Sequence, residues 1–231
     1  MSLPKIKHPI YAITLPSNQL QVNFRPFTVK EEKLLLMAKS SEKSEDIINS
    51  IKQVIQNCII EKIDVNKLAT FDVEYIFIKL RSKSVGEIIE LEYSEKDSAD
   101  KITFKVNLDE VDVQHNPDHT NKFIVFDNIG IQMKYPTLEE MKLFEQGLTD
   151  ENIFKILYRC IDKIYDEDTV YSEYTEDELT DFIESLPVEG LEIIKTFFDT
   201  MPVLQHTVKL KNKQGETKEV VLKGINDFFT L

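Results

Sequence analysis

Apolar and polar positions change period abruptly within the first forty residues. "YAITLPSNQLQVNFRPF", residues 11–27, alternates loosely around a Pro-Ser-Asn-Gln turn and predicts a β-hairpin. Leu34, Leu35, Met37 and Ala38 then fall at helical spacing. Between the two patterns Thr28 stands three residues before Glu31, the spacing of a capping box. There the hydroxyl accepts from the Glu31 amide while the carboxylate reaches back to the Thr28 amide. A second helix is predicted over 44–63, with Ile47, Ile48, Ile51, Val54, Ile55, Cys58 and Ile59 on one face. A third is predicted over 72–82, where Val73, Ile76, Phe77 and Leu80 share a side. "GEIIELEYS" and "KITFKVNLDEVDV" alternate with period two across the polar "EKDSAD", a second hairpin or ribbon.

After "HNPDHTN", residues 115–121, the order of elements begins again. "NKFIVFDNIGIQMKYP" carries Asp-Asn-Ile-Gly between two apolar runs, another hairpin signal, and Thr137 stands three residues before Glu140. Residues 22–37 and 131–146, aligned without gaps, share 4 of 16 positions, against roughly one expected at background frequencies. Helices over 151–164 and 175–186 and a ribbon over 205–229 continue the parallel, and Cys160 stands where Cys58 stands in the first half. The predicted class is α+β, two similar β-hairpin–three-helix–β-hairpin units over 1–116 and 117–231, free to pack as one domain. An internal duplication accounts for the pattern; two chance strand-to-helix junctions account for it as well.

Composition narrows the function classes. With 231 residues, 42% hydrophobic and 30% charged, the chain has apolar area enough for a core. A formal net charge of −13 disfavours nucleic acid and anionic membranes and favours partners with basic surfaces. No apolar run approaches the ~18 residues of a membrane span, and "MSLPKIKHPIYAITLP" lacks a continuous signal segment, so a soluble cytosolic protein is expected. Cys58 and Cys160 sit singly in apolar helical contexts and read as buried thiols in a reducing compartment.

Candidate chemistry is sparse. His115 and His119 are four apart, but Asn-Pro between them keeps a helix from presenting both on one face, so a polar linker is expected there and no metal site. G-x-S-x-G, Walker A and C-x-x-C patterns are absent from the sequence, and no catalytic residue or cofactor is assigned. Residues 166–185 hold nine carboxylates and no Lys or Arg. The pattern of a calcium loop begins at Asp166 and Asp168 and is broken by Val170 and Tyr171. Glu176, Asp177 and Glu178 suit the start of a helix in a solvated loop; docking to a basic partner is the alternative. Phe228, Phe229 and Leu231 form a tail that either folds onto the core or anchors in a partner groove. Ribbon edges in 203–223 offer strand pairing.

Three separated segments, "FRPFTVKEEKLLLMA" (24–38), "KLRSKSVGE" (79–87) and "LKGINDFF" (222–229), resemble in order the baseplate hub proteins of T4-like contractile-tailed bacteriophages. That family includes the small hub subunit and the hub assembly catalyst. The resemblance implies a virus-encoded protein that helps to build the baseplate hub in the bacterial cytoplasm, with other hub proteins as partners, either staying in the virion or leaving it. Some members carry paired cysteines between ribbon strands; "YSEKDSADK" at 93–101 has none, so no metal knuckle carries over. The family pattern transfers no enzymatic residue. A hub-associated cell-wall hydrolase is the alternative, and it would need an acid–base carboxyl pair in a cleft. A nucleic-acid module is disfavoured by the charge.

Overall fold

A computed structural model describes residues 3–4, 6–41, 43–94, 101–145, 150–211 and 217–228. Helices and small antiparallel sheets make an α+β protein. The chain divides into two compact units, one of Met1–Gln114 with Val203–Leu231 and one of His115–Pro202.

The first unit opens with the hairpin β1 (Tyr11–Thr14) and β2 (Gln21–Phe24), followed by α1 (Val29–Ser41), α2 (Ser44–Cys58) and α3 (Thr70–Ser84). Helix α2 buries Ile51, Val54, Ile55 and Cys58, the spacing of one helical face. It stops at Cys58, short of the predicted 63, because Ile59 leaves the helix to bridge Phe24 as an extended residue. Helix α3 is buried round much more of its circumference than a one-sided helix: Phe71, Asp72, Ile78, Arg81 and Ser82 join the four predicted positions. Met37, placed on the inner face of α1 by its spacing, is 62% exposed, and the buried face is Glu31, Leu35 and Ala38.

Strands β3 (Ile88–Ser94) and β4 (Lys101–Asn107) form the expected ribbon; its connection at 95–100 lies outside the described residues. The chain then turns, and β5 (Asp112–Gln114) pairs with a different sheet. That sheet has the order β11–β10–β5, where β10 is Val203–Lys211 and β11 is Thr217–Lys223. Residues 203–231 therefore group with the first unit, whereas a cut at 116 puts them with the second. Pairing of Val203 with Gln114 and of Gln205 with Asp112 draws them there. Strand β10 is central in its sheet, which leaves β11 as the ribbon's outer edge.

The second unit builds one sheet of order β6–β7–β8–β9: β6 (Lys122–Phe126), β7 (Ile129–Met133), β8 (Ile161–Asp166) and β9 (Thr169–Tyr171). Its helices are α4 (Leu138–Glu145), α5 (Asp150–Cys160), α6 (Glu176–Glu184) and α7 (Val188–Thr200). Helix α5 ends at Cys160, and the residues read as its continuation are strand β8. Gly190 lets α7 lie against β6, since a Cβ there would come within 2.8 Å of the Val125 carbonyl oxygen. His119 is no bare linker residue. Its ring lies against Tyr135 and Phe197, with Nδ1 3.0 Å from Thr200 Oγ1 and Nε2 3.0 Å from the Tyr135 hydroxyl.

One set of contacts occurs in both units. The Thr28 amide donates to Glu31 Oε2 at 2.9 Å, the reach-back expected of a capping box, but the hydroxyl donates to the same oxygen at 2.6 Å where the spacing predicts that it accepts from the Glu31 amide; Thr137 and Glu140 repeat both distances. The Arg25 amide donates to the Cys58 carbonyl at 3.0 Å, and the Lys134 amide to the Cys160 carbonyl at 2.7 Å. Each contact satisfies a carbonyl that a helix end leaves without an intrahelical partner. Phe24 faces Ile59 as Met133 faces Ile161. Both thiols are buried, and burial pushes Cys58 up to about 11 and Cys160 up to about 12.

Burial works to raise the Glu31 carboxyl, but hydrogen bonds from Arg25 and Thr28 outweigh it and hold it at about 2, against an ordinary 4.5. A carboxyl depressed in the folded state contributes stability that is complete above its unfolded value and lost as the pH falls towards the folded one. Urea unfolding should therefore show wild type more stable than Glu31→Gln by on the order of 2–3 kcal/mol near neutrality. That gap should close steadily as the pH falls below about 4.5 towards 2. Gly190→Ala should lower stability by about 1–3 kcal/mol through the forced shift of α7 against β6, read as a lower Tm.

Candidate interaction surface

The acidic stretch 166–185 is not a simple loop. It ends β8, forms β9, and opens α6 through a complete capping box, in which Thr175 Oγ1 accepts from the Glu178 amide and the Glu178 carboxylate accepts from the Thr175 amide. The T-x-x-E spacing at 175–178 matches those at 28–31 and 137–140. Accepting those hydrogen bonds holds Glu178 below the usual carboxylate range.

Between the β8–β9 hairpin and α6 lies a groove of about 390 Å³. Its walls are Ile129, Ile164, Leu179, Phe182, Tyr171 and Tyr174, and its rim carries Asp166, Glu173 and Glu178. Tyrosine hydroxyls fix two sides: Tyr171 donates to Asp166 Oδ2 at 3.1 Å and Tyr174 to the Ile161 carbonyl at 3.1 Å. Burial, followed by the nearby Asp162, raises the Tyr174 phenol above its ordinary value, so it stays a neutral donor. Beside the groove β9 is the last strand of its sheet, with Val170 62% and Tyr171 45% exposed.

The structure separates the residues proposed from sequence. Glu176, Asp177 and Glu178 are exposed on the first turn of α6, and Glu178 lines the groove. Phe228 is completely buried and belongs to the core of the first unit, the fold-back arrangement of the tail. Phe229 and Leu231 lie outside the described residues. The apolar walls of the groove, Tyr171, Tyr174 and Phe182, are not legible in the sequence because the carboxylates around them dominate the pattern. Their signal was three aromatic residues within twelve positions of an otherwise acidic stretch.

Charge is divided as sharply as structure. Residues 115–202 carry 7 Lys and Arg against 20 Asp and Glu, a formal charge of −13 that equals that of the whole chain. The first unit carries 21 of each sign and is formally neutral.

A family model described as T4 bacteriophage base plate protein matches residues 8–230. The chain belongs to this family. No curated protein and no solved structure matches it. In this baseplate-family protein the three segments that carry the sequence resemblance all reach α3. The Phe27 amide donates to Ser84 Oγ at 2.9 Å. Within "KLRSKSVGE", Lys79 donates to the carbonyls of Leu108, Asp109 and Val111 at 3.3, 2.8 and 2.8 Å, while Ser82 and Lys83 bind the two Asp109 carboxylate oxygens. From "LKGINDFF" the Ile225 amide donates to Glu74 Oε1 at 3.2 Å, next to Gly224, whose φ of +63° suits glycine. These residues hold the first unit together. The groove and the charge lie in the other.

Thr175→Ala removes the hydroxyl arm of the α6 capping box and should cost about 1 kcal/mol. Hydrogen exchange should locate the loss in the first turn of α6.

Proposed function

We propose that the protein serves the assembly of the central hub of the phage tail baseplate, acting through contacts with other hub proteins and transforming no substrate. The family match across residues 8–230 carries this reading. Two features support it. The segments that resemble hub proteins are engaged, through the backbone amides of Phe27 and Ile225 and the side chain of Lys79, in holding α3 to its surroundings, a structural use of the motif. The negative charge is gathered in one unit beside an apolar groove, an arrangement suited to steering and seating a basic partner. Its place of action on this reading is the host cytoplasm while the baseplate is built. A compact acidic chain suits an assembly factor that shields partner surfaces before they are buried.

Mass spectrometry of purified virions, set beside affinity capture of the tagged full chain from infected cells, tests this. Hub proteins recovered with the chain, and the chain absent from finished virions, are the expected results. Presence in virions makes it a resident component instead. Capture of no baseplate protein, or clearing of peptidoglycan by the purified chain in a zymogram, contradicts the reading.

A further inference from the structure

We infer that the groove between β9 and α6 is the seat of a basic segment of a partner protein, one that presents bulky apolar side chains between lysines or arginines. The inference rests on the reading of the protein as one that works by contact, and adds to it the place and the chemistry of that contact.

Three observations converge on this occupant. The floor and walls are apolar and aromatic, and a groove of about 390 Å³ is at the lower end of the size that takes a ligand or peptide side chains, roughly 300–1,000 Å³. An apolar occupant gains by leaving water here, and the tyrosines offer rigid contact area at small entropic cost. The rim is of one sign: Asp166, Glu173 and Glu178 border the opening, with Glu176 and Asp177 on the adjoining helical turn. An acidic occupant would meet repulsion at each, while a basic one would be attracted from a distance by a unit of formal charge −13. The third observation is the strand beside the groove. As the last strand of the sheet, β9 turns one edge away from β8, and Val170 and Tyr171 are exposed on it. An extended segment lying along that edge can add main-chain hydrogen bonds and turn alternate side chains into the groove.

A fluorescent peptide of alternating lysine and leucine, titrated into the purified full chain, tests the inference by anisotropy. Saturable binding is expected that weakens as salt rises. Replacing the leucines with serines, Tyr171→Ala in the wall, or Glu173→Lys on the rim should each weaken binding about tenfold or more, equivalent to about 1.4 kcal/mol. Glu189→Lys, an equal charge reversal on α7 outside the groove, should change it by less than about twofold. Circular dichroism melts confirm that the variants are folded.

Equal weakening by Glu189→Lys and Glu173→Lys would show diffuse attraction without a seat. Undiminished binding of the serine peptide would remove the apolar requirement, and no saturable binding would remove the site. Each of these overturns the groove while leaving the hub reading intact, because that reading stands or falls on capture from infected cells.

Discussion

A helix buried on most sides cannot leave its polar groups to water. At Asp72, Lys79 and Ser82 helix α3 meets that constraint by taking partners from distant parts of the chain, and the first unit is arranged around those partners. Asp72 is fully buried and accepts from the amide and hydroxyl of Ser17 in the first hairpin turn. Lys79 directs its ammonium onto three backbone carbonyls of the turn after β4, and Ser82 and Lys83 hold the Asp109 carboxylate beside them. Burial pulls Lys79 below its ordinary value, while Asp112 and Asp109 act to keep it charged. Satisfied groups of this kind stabilise modestly; the same groups left buried without partners would cost several kcal/mol. So α3 fixes where the first hairpin, the 108–111 turn and the C-terminal segment must lie.

The polar partners of α3 and the acidic groove fall in different units. The three segments that carry the sequence resemblance reach α3, in a unit with no formal net charge. The carboxylates that give the chain its acidity crowd into the other unit. There they cap α6 and rim a groove, and their mutual repulsion favours a basic neighbour. The family motifs and the excess negative charge are thus carried by different stretches of sequence.

Much of this was legible from periodicity. The hairpins at 11–24 and 122–133, the capped helix starts at Thr28 and Thr137, and the parallel positions of Cys58 and Cys160 all follow from local patterns. The helix ends were not. Ile59 and Ile161 continue an apolar run that suits helix or strand, and pairing with β2 and β7, a tertiary contact, decides for the extended form. Strands β8 and β9 and helix α7 are hidden for related reasons: the pattern of the first suits a helix, the carboxylates of the second suit a loop, and α7 at 188–200 gives no distinct start signal although Ile194 and Phe197 share its buried side. The pairing of β5 with β10 joins residues some ninety positions apart, beyond any local signal. Of the groove, the sequence showed the carboxylates and not the aromatic walls, since the walls form only when a hairpin and a helix come together.

Native-state hydrogen exchange on wild type and Lys79→Met most directly tests whether α3 and its polar partners govern the first unit. If they do, α3 amides are among the slowest in that unit and exchange only when it unfolds. Loss of the ammonium's hydrogen bonds, roughly 1.5–3 kcal/mol, then speeds α3 and the β10–β11 pair by a common factor. Faster exchange confined to residues 107–113, with α3 protection unchanged, would contradict the account.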